Sequence, residues 1–482
     1  MTSEIRVNKI THTTGVGTIT TSVDGIVVSG IITANNFSGS VPASNLTGTV
    51  ADARISTLTA SKLSGALPAI SAANLTNLPA ANITGTLPAI DGSALTGINT
   101  AFGNSSVNTT GIMTATSFVP TTGQLSHRNL IINGAMNIAQ RGTSSTSQGY
   151  QTVDRYKFGY NGHDEALTQS QGDVASGTTP YTLGFRKTFK VTNGNQTSGA
   201  GASDYVYIDY SFEAQDIANS GWNYNSASSF VTFSFWIKSS VAQSFKGYFI
   251  TGDGTDYSYA FDTGSLTADT WTKVTKTIPG NSNLTVDNDT GRGLGFSLWP
   301  FIGTDLTNNS TSEDAWVTHS GSGRTKDATS TWWTTNDATF ELTGLQLEVG
   351  PVATPFEHKS FIEDKLRCYR YYYKPERGSN VLDLHGQGHR VADTLGAVVQ
   401  AYPWPVEMRA TPSVSYDDNN GNSNRFAVNG SNNSTTFNVA LSLQQNVQGI
   451  MGAFQYPHGI SGISENESFR LWAYNFKASA EL

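Results

Sequence analysis

The sequence contains little cysteine, little charge and no long apolar run. Its single cysteine among 482 residues, Cys368, excludes a disulfide within the chain, so rigidity has to come from packing or from association of chains. Charged residues make up 14% of the total, against about a quarter in an average globular protein. With 48 glycines and many Ser, Thr and Asn residues, the composition favours strands and turns over long helices.

The sequence also lacks basic clusters and segments suited to a membrane. The formal net charge is −8, and no run of Lys and Arg could neutralise successive phosphates, so we do not expect a nucleic-acid partner. The first residues, MTSEIRVNKI, contain no apolar stretch of signal-peptide length, and the chain contains no apolar run as long as a membrane-spanning helix. We therefore expect neither export through a signal peptide nor membrane insertion.

The N-terminal quarter lacks the residues from which a globular core is built. Residues 36–120 include four charged and three aromatic residues. A short motif repeats there instead, as NLTGT from Asn45, KLSGA from Lys62, NLTNL from Asn74, NITGT from Asn82 and ALTGI from Ala94. Glycines and prolines interrupt every helical turn of the repeats, and one interior proline costs a helix about 3 kcal/mol. We therefore predict extended chain.

Each repeat carries small aliphatic side chains that it cannot bury alone. Three chains wound about one axis would bury them, so we predict a homotrimer with an intertwined fibrous shaft over residues 21–125. A disordered linker rich in Ser, Thr and Gly is the alternative, but a linker does not explain regularly spaced Leu and Ile residues.

Three parts of the sequence resemble tail-fibre and tail-appendage proteins of tailed bacteriophages, particularly large phages of marine cyanobacteria. These parts are the opening SEIRVNKI with TGVGTIT, the repeats of the type NITGTLPAI, and the junction SHRNLIINGAMNIAQRG. The resemblance implies a virion protein, assembled in the host cytoplasm, whose N-terminus attaches to tail or baseplate proteins. On that basis we predict an attachment segment over residues 1–20.

From Ser126 onward, apolar and polar residues alternate. Along FVTFSFWIKS (residues 230–239), every second residue from Val231 to Ile237 is apolar, which is typical of a half-buried antiparallel strand. Similar runs lie near residues 245–250, 272–278, 294–301 and 338–347, separated by turn-forming clusters such as GDGTD and DNDTGRG. The pattern predicts a β-sandwich of jelly-roll type over residues 126–358.

The segments NLIINGAMN, DRYKF, FSFWIKS and LTGLQLEVGPVATPFE resemble the carbohydrate-binding-module-like domain found in phage tail proteins. The resemblance implies sugar binding, although the same fold also serves as a trimer-forming element. An aromatic ring offers an apolar face that suits the C–H face of a pyranose. The candidates for glycan contact are therefore aromatic: Trp236, Tyr248, Trp271, Trp299, Trp332 and Trp333.

For each of these aromatics, a place in the core or in a subunit interface is the alternative. Trp332 and Trp333 are adjacent in sequence. In a strand, therefore, at most one of the two would face outward.

Residues 359–482 are predicted to form a small C-terminal β tip domain that begins with a helix over residues 360–374. Ser360 and Glu363 fit a capping box, and Pro375 stops the helix. The strand-like segments LGAVVQAYPWPVEMRATPSVSY and ESFRLWAYNFKASAEL follow, and both resemble the C-terminal region of the same phage proteins. We expect Cys368 to be a buried structural thiol rather than a nucleophile.

The sequence predicts neither a metal site nor a cofactor. His385 and His389 have i, i+4 spacing, but the flanking glycines argue against the helix that would place both on one face. The acidic residues in and around GDGTD and DNDTGRG do not complete a calcium-loop signature.

Glycoside hydrolysis requires two suitably placed carboxylates. The candidate carboxylates form no recognisable pair in the sequence: Asp154, Asp337, Glu341 and Glu348. We therefore expect a non-enzymatic tail fibre that mediates attachment to the host cell by binding its surface polysaccharide. A purely structural appendage that binds other virion proteins is one alternative, and a polysaccharide depolymerase is another.

Overall fold

The structure, a computed structural model, describes residues 126–375, 384–391, 394–430, 437–440, 447–456 and 464–482, together with three short strands nearer the N-terminus. Residues 1–111 and 112–482 form two compact units. The repeats that predict the shaft lie outside the described residues. The predicted domain boundaries after residues 20, 125 and 358 stay predictions.

In the first unit, the three strands form one antiparallel sheet in chain order. They are β1 (Lys9–Thr11), β2 (Thr18–Ser22) and β3 (Gly25–Ser29). The register pairs Ile10 with Ile19 and Ile19 with Val28. TITTS and GIVVS therefore form paired strands, which the sequence analysis did not assign.

In the second unit, residues 144–349 contribute two six-stranded sheets. The first sheet contains, in spatial order, β14 (Trp316–Thr318), β11 (Tyr257–Asp262), β10 (Lys246–Thr251), β13 (Arg292–Ile302), β8 (Tyr205–Glu213) and β5 (Lys157–Asn161). The second contains β12 (Thr272–Pro279), β9 (Phe230–Ser239), β15 (Thr339–Val349), β7 (Lys187–Thr192), β6 (Thr168–Asp173) and β4 (Ser144–Ser145). Neighbouring strands in both sheets are antiparallel.

The two sheets pack face to face through aromatic side chains. The Phe233 ring on β9 lies 4.9 Å from the Phe296 ring on β13 and 5.2 Å from the Phe249 ring on β10, measured between centroids. Val231, Phe233, Phe235 and Ile237 are all buried in this core. The alternation predicted for β9, and with it a β-sandwich, is confirmed.

The first and last segments of the sandwich are joined by Asn129. Its side chain donates to the Leu345 carbonyl (3.0 Å) and accepts from the backbone N–H groups of Ile131 and Leu347. Leu130 N–H also donates to the Leu347 carbonyl. The chain therefore comes into the sandwich and leaves it at the same edge.

In the part of the chain that the structure describes, four short α-helices accompany the sheets: α1 (Thr179–Thr182), α2 (Ala214–Ala218), α3 (Thr331–Thr334) and α4 (Phe361–Tyr369). The Ser360 side chain accepts from the Glu363 N–H, as the capping box predicts. Helix α4 is shorter than the predicted 360–374, because Tyr372 and Tyr373 form a strand instead.

Helix α4 packs against the sandwich through Asp364 and Cys368. The Asp364 carboxylate accepts from the Asn133 N–H, and Cys368 lies in a small cluster with Ile132, Ile138 and Tyr371. The thiol is fully buried, as predicted, and burial raises its pKa well above the ordinary value. A buried thiol with a raised pKa is a poor nucleophile.

The remaining strands form an eight-stranded sheet around the last one, β23 (Ser468–Ser479). Its other members are β16 (Tyr372–Tyr373), β17 (Leu384–Val391), β18 (Thr394–Pro403), β19 (Ser413–Asp417), β20 (Arg425–Gly430), β21 (Phe437–Ala440) and β22 (Gly449–Tyr456). This part contacts the sandwich through Glu213, which accepts from both Arg370 (2.6 and 2.7 Å) and Tyr371 (2.5 Å).

Candidate functional site

The six aromatic candidates for glycan contact occupy three different environments. Two lie in the core of the sandwich, two lie on the outer side of the first sheet, and two lie on the outer side of the second sheet. Their exposure decides which of them can stack on a ligand.

Trp332 and Trp333 are fully buried in the sandwich core. Their indole N–H groups donate to backbone carbonyls, Trp332 to Thr339 (3.0 Å) and Trp333 to Gly199 (2.7 Å). Both lie in helix α3 rather than in a strand, and its single turn places both in the core, so neither faces outward. Neither ring has a face that a sugar can reach.

Tyr248 and Trp299 lie side by side on the outer face of the first sheet, with ring centroids 6.1 Å apart. They are 6% and 2% exposed, because the segment after β13 covers them. The His319 ring stacks on Tyr248, and the Arg324 guanidinium lies 5.5 Å from the Trp299 ring centroid. This pair forms a small second core rather than an open platform.

Two tyrosines that the sequence analysis did not single out complete this second core. Tyr205 and Tyr207 alternate with the buried Val206 and Ile208 along β8, and their rings stack at 5.8 Å. Both are half-buried. The alternation YVYIDY could have identified them, since every second residue of a strand shares a face.

Trp236 and Trp271 are half-buried on the outer face of the second sheet. Trp236 points away from the core because it alternates with Phe235 and Ile237 along β9, and its cross-strand partner on β12 is Lys273. Trp271 immediately precedes β12. The Lys238 Nζ atom lies 5.2 Å from the Trp271 ring centroid, so the two tryptophans and two lysines alternate on adjoining strands.

The third strand adds an acidic group to this surface. The Glu341 carboxylate on β15 pairs with the Lys238 ammonium at 3.0 Å, and the Thr188 hydroxyl lies 3.4 Å from it. We call Trp236, Lys238, Trp271, Lys273 and Glu341 the tryptophan face. It combines two partly open aromatic rings with lysine ammonium groups that donate hydrogen bonds, two features that suit sugar recognition. The buried Glu341 carboxylate holds one of these lysines in place.

The back of the Trp236 ring rests on a small apolar cluster that includes Phe185 and Phe356. This packing fixes the ring, and a rotamer that is held in place loses little entropy on binding. The indole N–H of Trp271 has no hydrogen-bond partner among the described residues.

The carboxylates considered for hydrolysis have structural contacts. Glu348 accepts from the Thr354 N–H and hydroxyl (2.8 and 2.6 Å), and Asp154 accepts from the Gln140 N–H (3.0 Å). Burial raises the pKa of Asp154 to about 6. Asp337 is exposed in the turn before β15. Glu341 and Glu348 are seven residues apart on one strand, roughly 20 Å, which exceeds the separation that glycosidases use.

His385 and His389 lie on strand β17, so their spacing does not bring them together as helical i, i+4 spacing would. Across the described ranges, no group of three or more His, Cys, Asp and Glu side chains is arranged to hold a metal ion. None of the helices that the structure describes is long and apolar enough to cross a membrane.

No protein-family model matches the sequence, and no curated protein matches it. Solved structures align only weakly. The enzymatically active domain of tailspike protein 4 from bacteriophage CBA120 aligns at 9% identity with a TM-score of 0.25, covering 46% of this chain and 21% of that chain. The family 11 carbohydrate-binding module from Clostridium thermocellum aligns at 13% identity with a TM-score of 0.20, covering 45% and 98%.

A tandem pair of carbohydrate-binding modules from Paenibacillus barcinonensis aligns at 10% identity with a TM-score of 0.22, covering 76% of this chain and all of that chain. Similarities this weak say nothing about the activity of this chain.

Proposed function

We propose that this chain is a subunit of a bacteriophage tail fibre and that its sandwich binds the host's surface polysaccharide through the tryptophan face. The observation that carries the proposal is the placement of Trp236 and Trp271, which alone among the six aromatic candidates are half-exposed on one sheet surface. The resemblance of the junction and sandwich segments to phage tail proteins supports the same function.

The chemistry of the tryptophan face suits a polysaccharide. Each indole presents a flat apolar surface to the C–H groups of a pyranose, and the ammonium groups of Lys238 and Lys273 donate hydrogen bonds to its hydroxyls. Lys238, Lys273 and Lys190 outnumber Glu341 and Glu348 on this side of the sheet. The resulting positive charge favours polysaccharides that carry carboxylate or sulfate groups.

In this proposal the chain works as a homotrimer attached to tail or baseplate proteins through residues 1–20. A shallow sugar site buries little area and binds weakly by itself. Three heads on one fibre raise the overall avidity by orders of magnitude, because each later binding event occurs at a high effective concentration.

The proposal is tested with the full-length chain and the variants Trp236→Ala, Trp271→Ala and the double substitution. We expect each single variant to bind purified host polysaccharide about tenfold more weakly than the wild type, and the double variant to lose labelling of host cells. Trp316→Ala is the matched control, because Trp316 is also half-buried but lies on β14 of the other sheet. Thermal unfolding of each variant separates loss of binding from loss of folding.

If the double variant labels host cells and competes with phage adsorption as well as the wild type does, the tryptophan face is not the receptor site. If the wild-type chain itself neither labels cells nor competes, a purely structural role in the virion replaces receptor binding.

The proposed role is non-enzymatic. Its support is the structural use of the buried candidates Asp154, Glu341 and Glu348. Incubation of the chain with host polysaccharide should release no more reducing ends than a boiled sample does. Release above that control would identify a depolymerase.

A further inference from the structure

A cleft of about 310 Å³ lies on the sandwich away from the tryptophan face. Its walls come from the start of the sandwich, helix α2 and the segment after it, the end of β15, and helix α4. The residues that line it are His127, Arg128, Asn129, Leu130, Gln215, Asp216, Asn219, Ser220, Val349, Lys359 and Arg367. This volume is at the lower end of the range that small-molecule sites occupy.

Among the cations of this cleft, Arg128 contacts Thr354 and Glu348 but has a buried Nε atom without a partner in the described part of the chain, and Lys359 lies 3.3 Å from Glu357. The Nη1 atom of Arg367 is likewise buried, with no hydrogen-bond partner among the described residues. A buried N–H without a partner is costly, so a ligand oxygen placed there gains a strong, charge-assisted hydrogen bond.

Asp216 supplies the complementary acceptor. Its side chain is exposed on helix α2 at the edge of the cleft, and within the described ranges its carboxylate accepts no hydrogen bond. Desolvation and the neighbouring Glu213 raise its pKa, and the positive charges of Arg367 and Arg370 oppose that rise. The charges of Asp216 and Arg367 therefore interact across the cleft, although the two side chains form no ion pair within the described residues.

We propose that this cleft binds one pyranose residue, with neighbouring sugar hydroxyls donating to Asp216 and accepting from Arg367. This inference rests on the proposed function, since the ligand is taken to be part of a polysaccharide. A carboxylate and a guanidinium that face one ligand without pairing match a vicinal diol, in which each hydroxyl both donates and accepts. The amides of Gln215 and Asn219 line the same cleft, and Leu130 and Val349 provide an apolar floor.

A simple anion fits the cleft less well than a neutral sugar. Asp216 would repel a carboxylate or phosphate bound beside Arg367. Val349 in the cleft is eight residues from Glu341 along β15, a separation of roughly 25 Å. One sugar ring cannot span that distance, so the cleft and the tryptophan face bind separate residues of a glycan.

The experiment uses the full-length chain and ligand-observed nuclear magnetic resonance, with the methyl glycosides of glucose, galactose and mannose as probes. We expect at least one probe to bind at millimolar concentration and its 3-deoxy analogue, which retains no vicinal diol, to bind more weakly. Arg367→Gln and Asp216→Asn should each weaken that binding about tenfold. Asp216→Asn changes an exposed side chain that makes no hydrogen bond in the described structure, so it should fold normally.

Arg186→Gln is the matched control, because the donations by Arg186 that the described residues show go to the carbonyls of Tyr181 and Phe185, outside the cleft. It should bind the probe as the wild type does. The inference is overturned if no methyl glycoside binds, or if Asp216→Asn and Arg367→Gln bind as well as the control.

Different results would disprove the proposal for the tryptophan face and the proposal for the cleft. If the double tryptophan variant loses polysaccharide binding but no methyl glycoside binds the cleft, the proposed function stands and this inference falls. If Asp216→Asn weakens binding of a methyl glycoside while the double tryptophan variant still binds polysaccharide, the cleft stands and the tryptophan face falls.

Discussion

The Arg155 guanidinium and the Glu481 carboxylate form an ion pair, with Nη1 and Oε2 2.5 Å apart and side chains that are 1% and 6% exposed. The guanidinium carbon also lies 3.4 Å from the centroid of the Tyr371 ring, and Arg141 contacts the second Glu481 oxygen at 3.1 Å. Arg155 belongs to the sandwich, whereas Glu481 follows the last strand. The pair therefore holds these two parts of the chain together.

Removing the negative charge of this pair should destabilise the protein strongly. Glu481→Gln leaves the buried guanidinium of Arg155 without its counter-charge, and breaking a buried pair in this way costs about 3 kcal/mol or more. Denaturant titration of the full-length chain measures the change. The surface pair Lys276–Asp314 gives the control, since Lys276→Gln should cost about 0.5 kcal/mol or less. Equal effects of the two substitutions would contradict a structural role for the buried pair.

Asp154 should make stability fall as pH rises. Burial raises its pKa to about 6, against 3.8 ordinarily, although Arg141 and Gln140 lower it. The folded state thus binds the proton more tightly than the unfolded state, and the free energy of unfolding declines from about pH 4 to about pH 6. Asp154→Asn removes this contribution. As pH is raised from about 4 to about 6, the unfolding temperature of Asp154→Asn should increase relative to that of the wild type. Above about pH 6 the difference between the two should stay constant.

Asp164→Asn is the control for that pH series. The backbone and side-chain hydrogen bonds from Ser198 lower the pKa of Asp164, so its stabilising contribution is lost only as pH falls below about 4. If both substitutions changed the pH dependence of stability over the same pH range, burial of Asp154 would not be the cause of the effect.

Trp333 should matter for stability, and Trp271 for binding. Trp333→Ala removes a fully buried ring that packs on Phe301 at 5.3 Å, and such truncations cost about 3–5 kcal/mol. Trp271→Ala removes a half-buried ring and should lower the free energy of unfolding by about 1 kcal/mol or less. Thermal unfolding and polysaccharide binding, measured on both variants, should rank them in opposite orders. A strongly destabilised Trp271→Ala would mean that this ring is structural.

The full-length chain should sediment as a trimer, near three times 51.5 kDa. The regularly spaced Leu and Ile residues of the repeats have no globular core to enter, and soluble monomers avoid large exposed apolar stripes. Analytical ultracentrifugation over a range of concentrations measures the mass. A stable monomer would contradict the intertwined shaft.

Local sequence patterns predicted the sandwich well, because the alternation that marks a strand involves residues that are close together in sequence. The run from Val231 to Ile237 showed which face of β9 is buried, and Ser360 with Glu363 showed where helix α4 begins. The end of α4 was predicted less well. Tyr372 and Tyr373, which were predicted to belong to this helix, instead pair with β23, more than 100 residues later, and local sequence does not record such a pairing.

The candidate site depended on information that the sequence does not display. Trp236 and Trp271 share one surface because of the register of β9 against β12. The helix that contains Trp332 and Trp333 was not predicted, because a single helical turn with no side-chain cap leaves no start signal. Asp216 and Arg367 are far apart in sequence, and they line the same cleft because α4 packs on the sandwich.

The bonds at Asn129 determine how the sandwich would respond to tension. Because the chain arrives and departs at one edge, with Asn129 bonded to Leu345 and Leu347, a pull applied between residue 126 and helix α4 is carried by this short cross-connection. Glu357, which accepts from the Asn129 N–H at 2.9 Å, reinforces it. The two sheets lie beside the line of force, so the tryptophan face should keep its shape under load until the bonds at Asn129 break.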